Sequence, residues 1–417
     1  MLTDSQFNEL EDAAVEIARR KMDTAPCSDR ILRPRMGTGG EFEDLFLWDT
    51  AFICMWAMHF PEMPVENSLD NFYRLQAENG FIYRQYHPTG NPKFLDPHPI
   101  CFAPPVLSWA EWELFRNGRG RERLGQVYPA LKRHHASCRE QFRMEDGLYT
   151  GCPLGCGMDN LPRWPSGWTD DGRGIKLSLE HVSAESDVNV PWMQHFLTAD
   201  GYAWKVQWRY IDMAFEMARD ARLLAAMAEE LGRPDEQSAF EREHEELGAL
   251  INERMWNEAL GAYVDLGHGE QIERLHIGGF WPLIAGIVPK ERVPRLAALL
   301  RDTRHFYRPT AIPSLAASEP DYTEGGKYWL GGVWAPTNYM VLKGLAHVGE
   351  GELARDLAER YLDTVWEVFG KTGTLWENYD PEQPSRGGQA MPDFCGWTGL
   401  AAVSIPREFI RPADCGA

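Results

Sequence analysis

Asp49-Thr-Ala-Phe-Ile-Cys-Met-Trp-Ala-Met-His-Phe60 carries apolar or aromatic side chains around nearly the whole circumference of a helix. A helix apolar on every side belongs inside a protein. Five further stretches share this character: Pro104 to Trp112, Val206 to Met217, Gly278 to Ile287, Trp334 to Leu345 and Cys395 to Ile405. Interleaved with them run amphipathic segments, with apolar residues at three- and four-residue spacing, over Ser5 to Met22, Arg121 to Phe142, Trp204 to Leu231, Ser238 to Met255, Arg292 to Arg301 and Glu352 to Phe369. Strand-like alternation is scarce. Six buried helices interleaved with amphipathic ones predict an all-α fold of two concentric rings, the (α/α)6 barrel, whose inner ring is covered by the outer. The spacing breaks only between the second and third inner helices, where a long insertion includes a Gly-, Pro- and Trp-rich run from Gly147 to Gly174. No Ser- or Pro-rich linker divides the chain, so residues 1–417 are expected to form one domain.

Composition narrows the function classes. With 44% hydrophobic residues, 417 residues can bury a substantial core. The 62 acidic against 42 basic side chains give a formal charge of -20, which disfavours the phosphate backbone of a nucleic acid as a partner. The start, Met1-Leu-Thr-Asp-Ser-Gln-Phe7, lacks the basic and apolar regions of a secretion signal, and no apolar run is long enough to span a bilayer, so a cytoplasmic location without membrane contact is expected. Eight cysteines form no dense framework; Cys152 and Cys156 lack a second pair to complete a zinc site, and His134 and His135 point in different directions on a helix. No metal and no cofactor is therefore expected. A homo-oligomer is compatible with the sequence. Tryptophan is abundant, 16 residues against 14 tyrosines. Core packing accounts for many of them, but those beside Gly, Pro, Asp or Asn suit stacking on a sugar ring.

The chemistry is concentrated before the inner helices. Gly155-Cys-Gly-Met-Asp-Asn-Leu-Pro-Arg-Trp164 presents Asp159 among glycines, a proline and an aromatic ring, inside the insertion. Thr374-Leu-Trp-Glu-Asn-Tyr379 presents Glu377 before the sixth inner helix. Two carboxylates on opposite sides of a pocket suffice to hydrolyse a glycosidic bond. Trp48-Asp49 opens the first inner helix, Ala103-Pro104-Pro105 the second, and Tyr328-Trp329-Leu-Gly-Gly-Val-Trp334 the fifth, with Gln389 also ahead of the sixth. Each has an ordinary alternative: an Asp-Asn pair in a loop serves turns, and Asp or Pro at a helix start serves capping. Parallel inner helices would bring all of them to one mouth.

Taken together, Trp48-Asp-Thr-Ala-Phe52, Gly157-Met-Asp-Asn160 with Pro162-Arg-Trp164, Tyr328-Trp-Leu-Gly-Gly-Val-Trp-Ala-Pro-Thr-Asn338, and Trp376-Glu-Asn-Tyr379 followed by Phe394-Cys-Gly-Trp397 resemble glycoside hydrolase family 63. The similarity is nearest to the short bacterial mannosylglycerate and glucosylglycerate hydrolases, with trehalases more distant. It runs collinearly from the first inner helix almost to the end of the chain. The resemblance implies an inverting hydrolase of a small α-glucoside or α-mannoside, with Asp159 as general acid and Glu377 as general base. Inversion calls for carboxyl groups roughly 6.5–9.5 Å apart. Apolar neighbours Met158, Leu161 and Trp164 should keep Asp159 protonated, while Glu377 must stay ionised.

The same resemblance makes Trp48, Trp329 and Trp334 the expected walls for the sugar, with Asp49 and Tyr328 available to its hydroxyls. Arg163 and Gln389 are polar candidates, and Arg163 could instead hold the Asp159 loop. Tyr83, Arg84 and Gln85 are candidates for the leaving group, or an ordinary polar loop; Arg209 on the third inner helix, Asn160, Trp164, Gly331, Trp376 and Trp397 complete the expected substrate contacts. Relatives place Gln before the two prolines and Ser after Asp-Asn, where this chain has Ala103 and Leu161. Two other classes stay open: an (α/α)6 sugar epimerase or isomerase working through histidines such as His87 or His276, and a non-catalytic sugar-binding protein.

Overall fold

A computed structural model describes residues 2–25, 28–93, 103–150, 157–163, 208–267 and 269–411. The helices in chain order are α1 (Asp4–Lys21), α2 (Leu47–Ala57), α3 (Val65–Arg74), α4 (Leu107–Arg116), α5 (Arg121–Phe142), α6 (Ile211–Glu230), α7 (Pro234–Arg254), α8 (Pro282–Ala285), α9 (Val293–Arg301), α10 (Ala335–His347) and α11 (Gly351–Thr372), followed by a π-wound segment over Leu400–Ser404 and Pro406–Ile410. Among these, α2, α4, α6, α8, α10 and the π-wound segment contact one another in that order, and the last packs back on α2, closing an inner ring. The fold is an (α/α)6 barrel, with the long insertion falling between the second and third inner helices.

The burial of each ring follows from its sequence. Every residue of α2 is buried, from Leu47 to Ala57. In α1 only one face is buried, Phe7, Leu10, Ala14, Val15, Ile17 and Ala18, and a capping box of Thr3 and Gln6 starts the helix. α1 packs on the π-wound segment, so the first helix of the chain covers the last inner one. Among the described residues strand pairing is limited to short ladders. At the pocket mouth β1 (Leu45–Phe46) lies antiparallel to β2 (Gln85–Tyr86), with Phe46 opposite Gln85.

Four elements differ from the sequence expectation. The amphipathic Trp204–Leu231 and the buried Val206–Met217 segments are one inner helix, α6, which begins at Ile211 after the short strand Trp208–Arg209. The fourth inner helix is broken into a 3-10 turn, Ile277–Phe280, and the single-turn α8. A Cβ on Gly279 would lie 2.6 Å from the Tyr263 carbonyl, so the backbone passes too close for a continuous side-chain-bearing helix. The outer helix α3 was not among the expected segments; its apolar stripe is only Val65, Leu69 and Phe72. In the last inner segment Pro406 lacks the amide that α-helical bonding requires, and the wider winding closes instead with Arg411 N–H donating to the Pro406 carbonyl at 2.7 Å.

Candidate active site

Four of the inner elements and the insertion deliver residues to one cleft of about 630 Å³. Trp48 and Asp49 come from the first turn of α2, Ala103 precedes α4, Gly157 and Asp159 come from the insertion, Tyr328 and Trp329 precede α10, and Glu377, Phe394 and Trp397 precede the π-wound segment. Phe42, Phe46 and Arg84 complete the described lining. Asp49 is not the cap of α2: that position is Phe46, and Asp49 sits within the first turn, where it lines the cleft.

The acid loop is held from both sides of Asp159. Gly157 (φ 75°) passes against the Trp48 ring, where an added Cβ would be 3.5 Å from ring carbon. Asn160 is buried; its Oδ1 accepts the Trp329 N–H at 2.9 Å and its Nδ2 donates to the Lys327 carbonyl at 3.5 Å. Arg163 is fully buried and donates two bonds each to Asp212 (2.8 and 2.9 Å) and Asp265 (both 2.8 Å), with its guanidinium 4.1 Å from the Tyr210 ring centre. Paired, bidentate geometry makes such a buried cluster tolerable.

Glu377 sits in a bend between the isolated bridges of Trp376 and Tyr379, and each of its carboxylate oxygens accepts a donor. Met391 N–H donates to Oε2 at 3.2 Å and the Tyr328 hydroxyl to Oε1 at 3.4 Å. Its carbonyl accepts from Trp397 Nε1 at 2.9 Å. Tyr328 has φ 60°, a left-handed conformation unusual for a side chain of that size. Its ring packs edge-on to Trp334, 4.9 Å between centres, and Trp334 in turn stacks flat on Trp329 at 4.0 Å.

Three carboxyl groups share the cleft, and burial raises all three. Asp159 is pushed up to about 6, with Arg84 pulling the other way. Asp49 is pushed up to about 7, opposed by its own backbone amide and Arg84 and aided by the charge of Asp159. Glu377 is pushed up to about 8: the Met391 amide and the Tyr328 hydroxyl lower it, while the charges of Asp49 and Asp159 raise it further. The sequence led to the expectation of a protonated Asp159 beside an ionised Glu377. Instead the proton is held more tightly by Glu377, which meets two negative neighbours, whereas Arg84 offsets burial at Asp159.

Of the expected contacts, the structure gathers Trp48, Asp49, Arg84, Tyr328, Trp329 and Trp397 around Asp159 and Glu377. The others stand outside the described lining. Tyr83 packs on Phe81 and Tyr86. Gln85 spends its amide on Asp44 and Arg84. Asn160 and Arg163 anchor the loop, Arg163 through carboxylates. Arg209 pairs with Asp146 at 3.0 Å. Gly331 (φ 128°) serves the backbone, since a Cβ there would meet the Tyr322 ring at 2.7 Å. Trp334 backs Trp329; Trp376 donates to Thr372 Oγ1 at 3.1 Å; Gln389 offers its carbonyl to Asn378. Trp164, like Cys152 and Cys156, lies outside the described residues. His87 bonds Thr89, and His276 lies in the Asp265 cluster, 3.2 Å from its carboxylate. Leu161 is buried away from the lining, while Ala103 belongs to it. Phe42 and Phe46 were missed; neither belongs to a motif, although Phe46 lies two residues before Trp48. Among the described residues no cluster of His, Cys, Asp and Glu could hold a metal ion, and no helix is long and apolar enough to cross a membrane.

Residues 43–398 match the mannosylglycerate hydrolase MGH1-like glycoside hydrolase domain. The chain belongs to this family. A crystal structure of the GH63 mannosylglycerate hydrolase from Thermus thermophilus, in complex with Tris and D-glycerate, superposes with a TM-score of 0.73 over 94% of this chain and 99% of that one, at 22% identity. At that identity the likeness establishes the shared fold. An uncharacterized protein of Borreliella burgdorferi is 27% identical over 76% of this chain and 59% of its own length. A probable mannosyl-oligosaccharide glucosidase of Schizosaccharomyces pombe is 29% identical over 48% of this chain and 26% of its own. This chain therefore spans between about a quarter and three-fifths of those two relatives.

Proposed function

We propose that this family member is an inverting glycosidase that cleaves a small α-glucoside or α-mannoside, with Asp159 as general acid and Glu377 as general base. The observation that carries the reading is the pairing of these two carboxyls, delivered by separate elements, in one cleft walled by Trp48, Trp329 and Trp397. Asp159 donates its proton to the departing glycosidic oxygen, and Glu377 takes a proton from the water that attacks the opposite face of the ring. The donors on both oxygens of Glu377 hold that carboxylate oriented, and Asp49 and Tyr328 face the sugar hydroxyls. Membership of the glycoside hydrolase family supports hydrolysis over epimerisation, as does a described lining without histidine. A single catalytic domain over residues 1–417, working in the cytoplasm, belongs to the same reading.

The test is a screen of α-linked disaccharides and glycosyl-glycerates with the purified protein. Asp159→Asn and Glu377→Gln should each lower turnover by several orders of magnitude with unchanged circular dichroism. NMR of the anomeric protons in the first minutes should show the β-anomer released first from an α-glycoside. The α-anomer appearing first would refute the mechanism.

A further inference from the structure

Arg84 is the cation of the described pocket lining, and it acts on both Asp49 and Asp159. How it is held is visible in the strand pair at the mouth. Its carbonyl accepts the Leu47 N–H at 2.9 Å, fixing its backbone to the start of α2. Its Nη2 donates to Gln85 Oε1 at 3.0 Å. Gln85 is buried, and its Nε2 donates to Asp44 Oδ2 at 2.5 Å. The same oxygen of Asp44 is 2.6 Å from Lys93 Nζ, and the Lys93 amide closes the turn by donating to the Gln85 carbonyl at 3.0 Å. Chemistry fixes the sense of this chain. An ionised carboxylate only accepts, so Asp44 must receive the amide N–H of Gln85, which leaves the amide oxygen for the guanidinium. Both the oxygen and the nitrogen of the Gln85 amide are thus engaged within the protein.

We infer that Gln85, backed by Asp44 and Lys93, is a positioning residue that holds the Arg84 guanidinium in the pocket lining it shares with Asp49 and Asp159. The inference rests on the reading of Asp159 as proton donor. Among the described residues, Asp49 from α2, Asp159 from the insertion, and Glu377 with the Tyr328 hydroxyl are the titratable groups that meet Arg84 in the lining. The guanidinium lowers Asp159, while the charges of Asp49 and Asp159 raise Glu377, so the two acids are unequal, and letting the guanidinium swing away should let Asp159 rise.

The experiment reads Asp159 directly. With aspartate labelled at the carboxyl carbon, and the Asp159 signal assigned by its loss in Asp159→Asn, the titration midpoint is measured in the wild type, Gln85→Leu, Arg84→Met and the double variant. The Gln85→Leu midpoint should rise by about one pH unit, the low end expected for loss of a nearby opposite charge. Gln85→Leu added to Arg84→Met should move it no further. The acid limb of kcat/KM should shift upward with it. An unmoved midpoint, or additive shifts, would overturn the inference. If Gln85→Leu does not fold, Gln85→Asn, one methylene too short to bridge Asp44 and Arg84, should raise the midpoint in the same way, and an unmoved midpoint in that variant would overturn the inference equally. Absence of hydrolysis by the wild type, with the midpoint moving as stated, would sink the glycosidase reading and leave Gln85 in its positioning role.

Discussion

Replacing Tyr328 by Phe removes one hydroxyl and keeps the ring that packs on Trp334. With Asp159 pushed up to about 6 and Glu377 to about 8, a proton shared by the pair resides mainly on Glu377. The productive form, proton on Asp159 and charge on Glu377, is the minority. The Tyr328 hydroxyl favours it by donating to the ionised Glu377, though at 3.4 Å the bond is long, and a value of about 1 kcal/mol is reasonable. Its loss should therefore raise Glu377 by about 0.7 pH unit. The profile of kcat/KM between pH 5 and 9 should be a bell with limbs near 6 and 8, and in Tyr328→Phe the alkaline limb should move up. At pH 7 kcat/KM should fall about 5-fold, because the same energy now favours the unproductive placement of the proton. Above the alkaline limb, where Glu377 is ionised in both proteins, the deficit should vanish. A deficit that is equal at every pH, or an alkaline limb that stays in place, would refute the reasoning.

Asp49→Asn should move the alkaline limb the other way, since it removes a negative neighbour that raises Glu377; the same pH profile checks it. Trp329→Phe, which keeps a ring against Trp334, should raise KM by a similar factor for substrates that share a sugar and differ in leaving group; unequal factors would place Trp329 on the leaving-group side. Arg163→Met should destabilise the fold by about 3–5 kcal/mol in chemical denaturation, because Asp212 and Asp265 are left buried without their cation. Arg163→Lys should recover little of this, since one ammonium cannot match two bidentate carboxylates.

The inner ring was legible in the sequence where a helix is apolar all round, as in α2, because burial on every side leaves no other composition workable. It was less legible at α6, where Trp204 and Val206 extend the apolar pattern beyond the start at Ile211, and at the fourth inner helix, where Gly279 answers to the Tyr263 carbonyl in a short strand. In the site, the presence of Asp159 and Glu377 in one cleft could be expected from local sequence, since each stands in an aromatic, turn-rich context. The partners of Arg163 could not. Asp212 and Asp265 lie 49 and 102 residues away, and nothing near Arg163 separates a guanidinium meant for carboxylates from one meant for a sugar. Gln85 was ambiguous for the same reason: its function is decided by Asp44, across a strand pair formed only on folding. The order of the two carboxyls depends on which charges face each, and was equally hidden.

An acid on a loop is useful only if the loop is as rigid as the helices around it. Here rigidity comes from linking the two acids through the backbone between them. Asp159 is followed by Asn160, whose side chain bonds both the Trp329 amide and the Lys327 carbonyl and so brackets Tyr328; the Tyr328 hydroxyl then reaches Glu377. Tyr328 stands at φ 60°, a conformation that costs on the order of 1–2 kcal/mol for a residue with a side chain. The bracket from Asn160 and the stack of Trp329 on Trp334 fix the backbone on either side of it, which is how such a conformation persists. Arg163 closes the arrangement from the other end by tying the acid loop to the start of α6 through Asp212. The separation of the two carboxyls is thus set by a short run of hydrogen bonds between buried groups, and the aromatic wall against which a sugar would stack belongs to the same run.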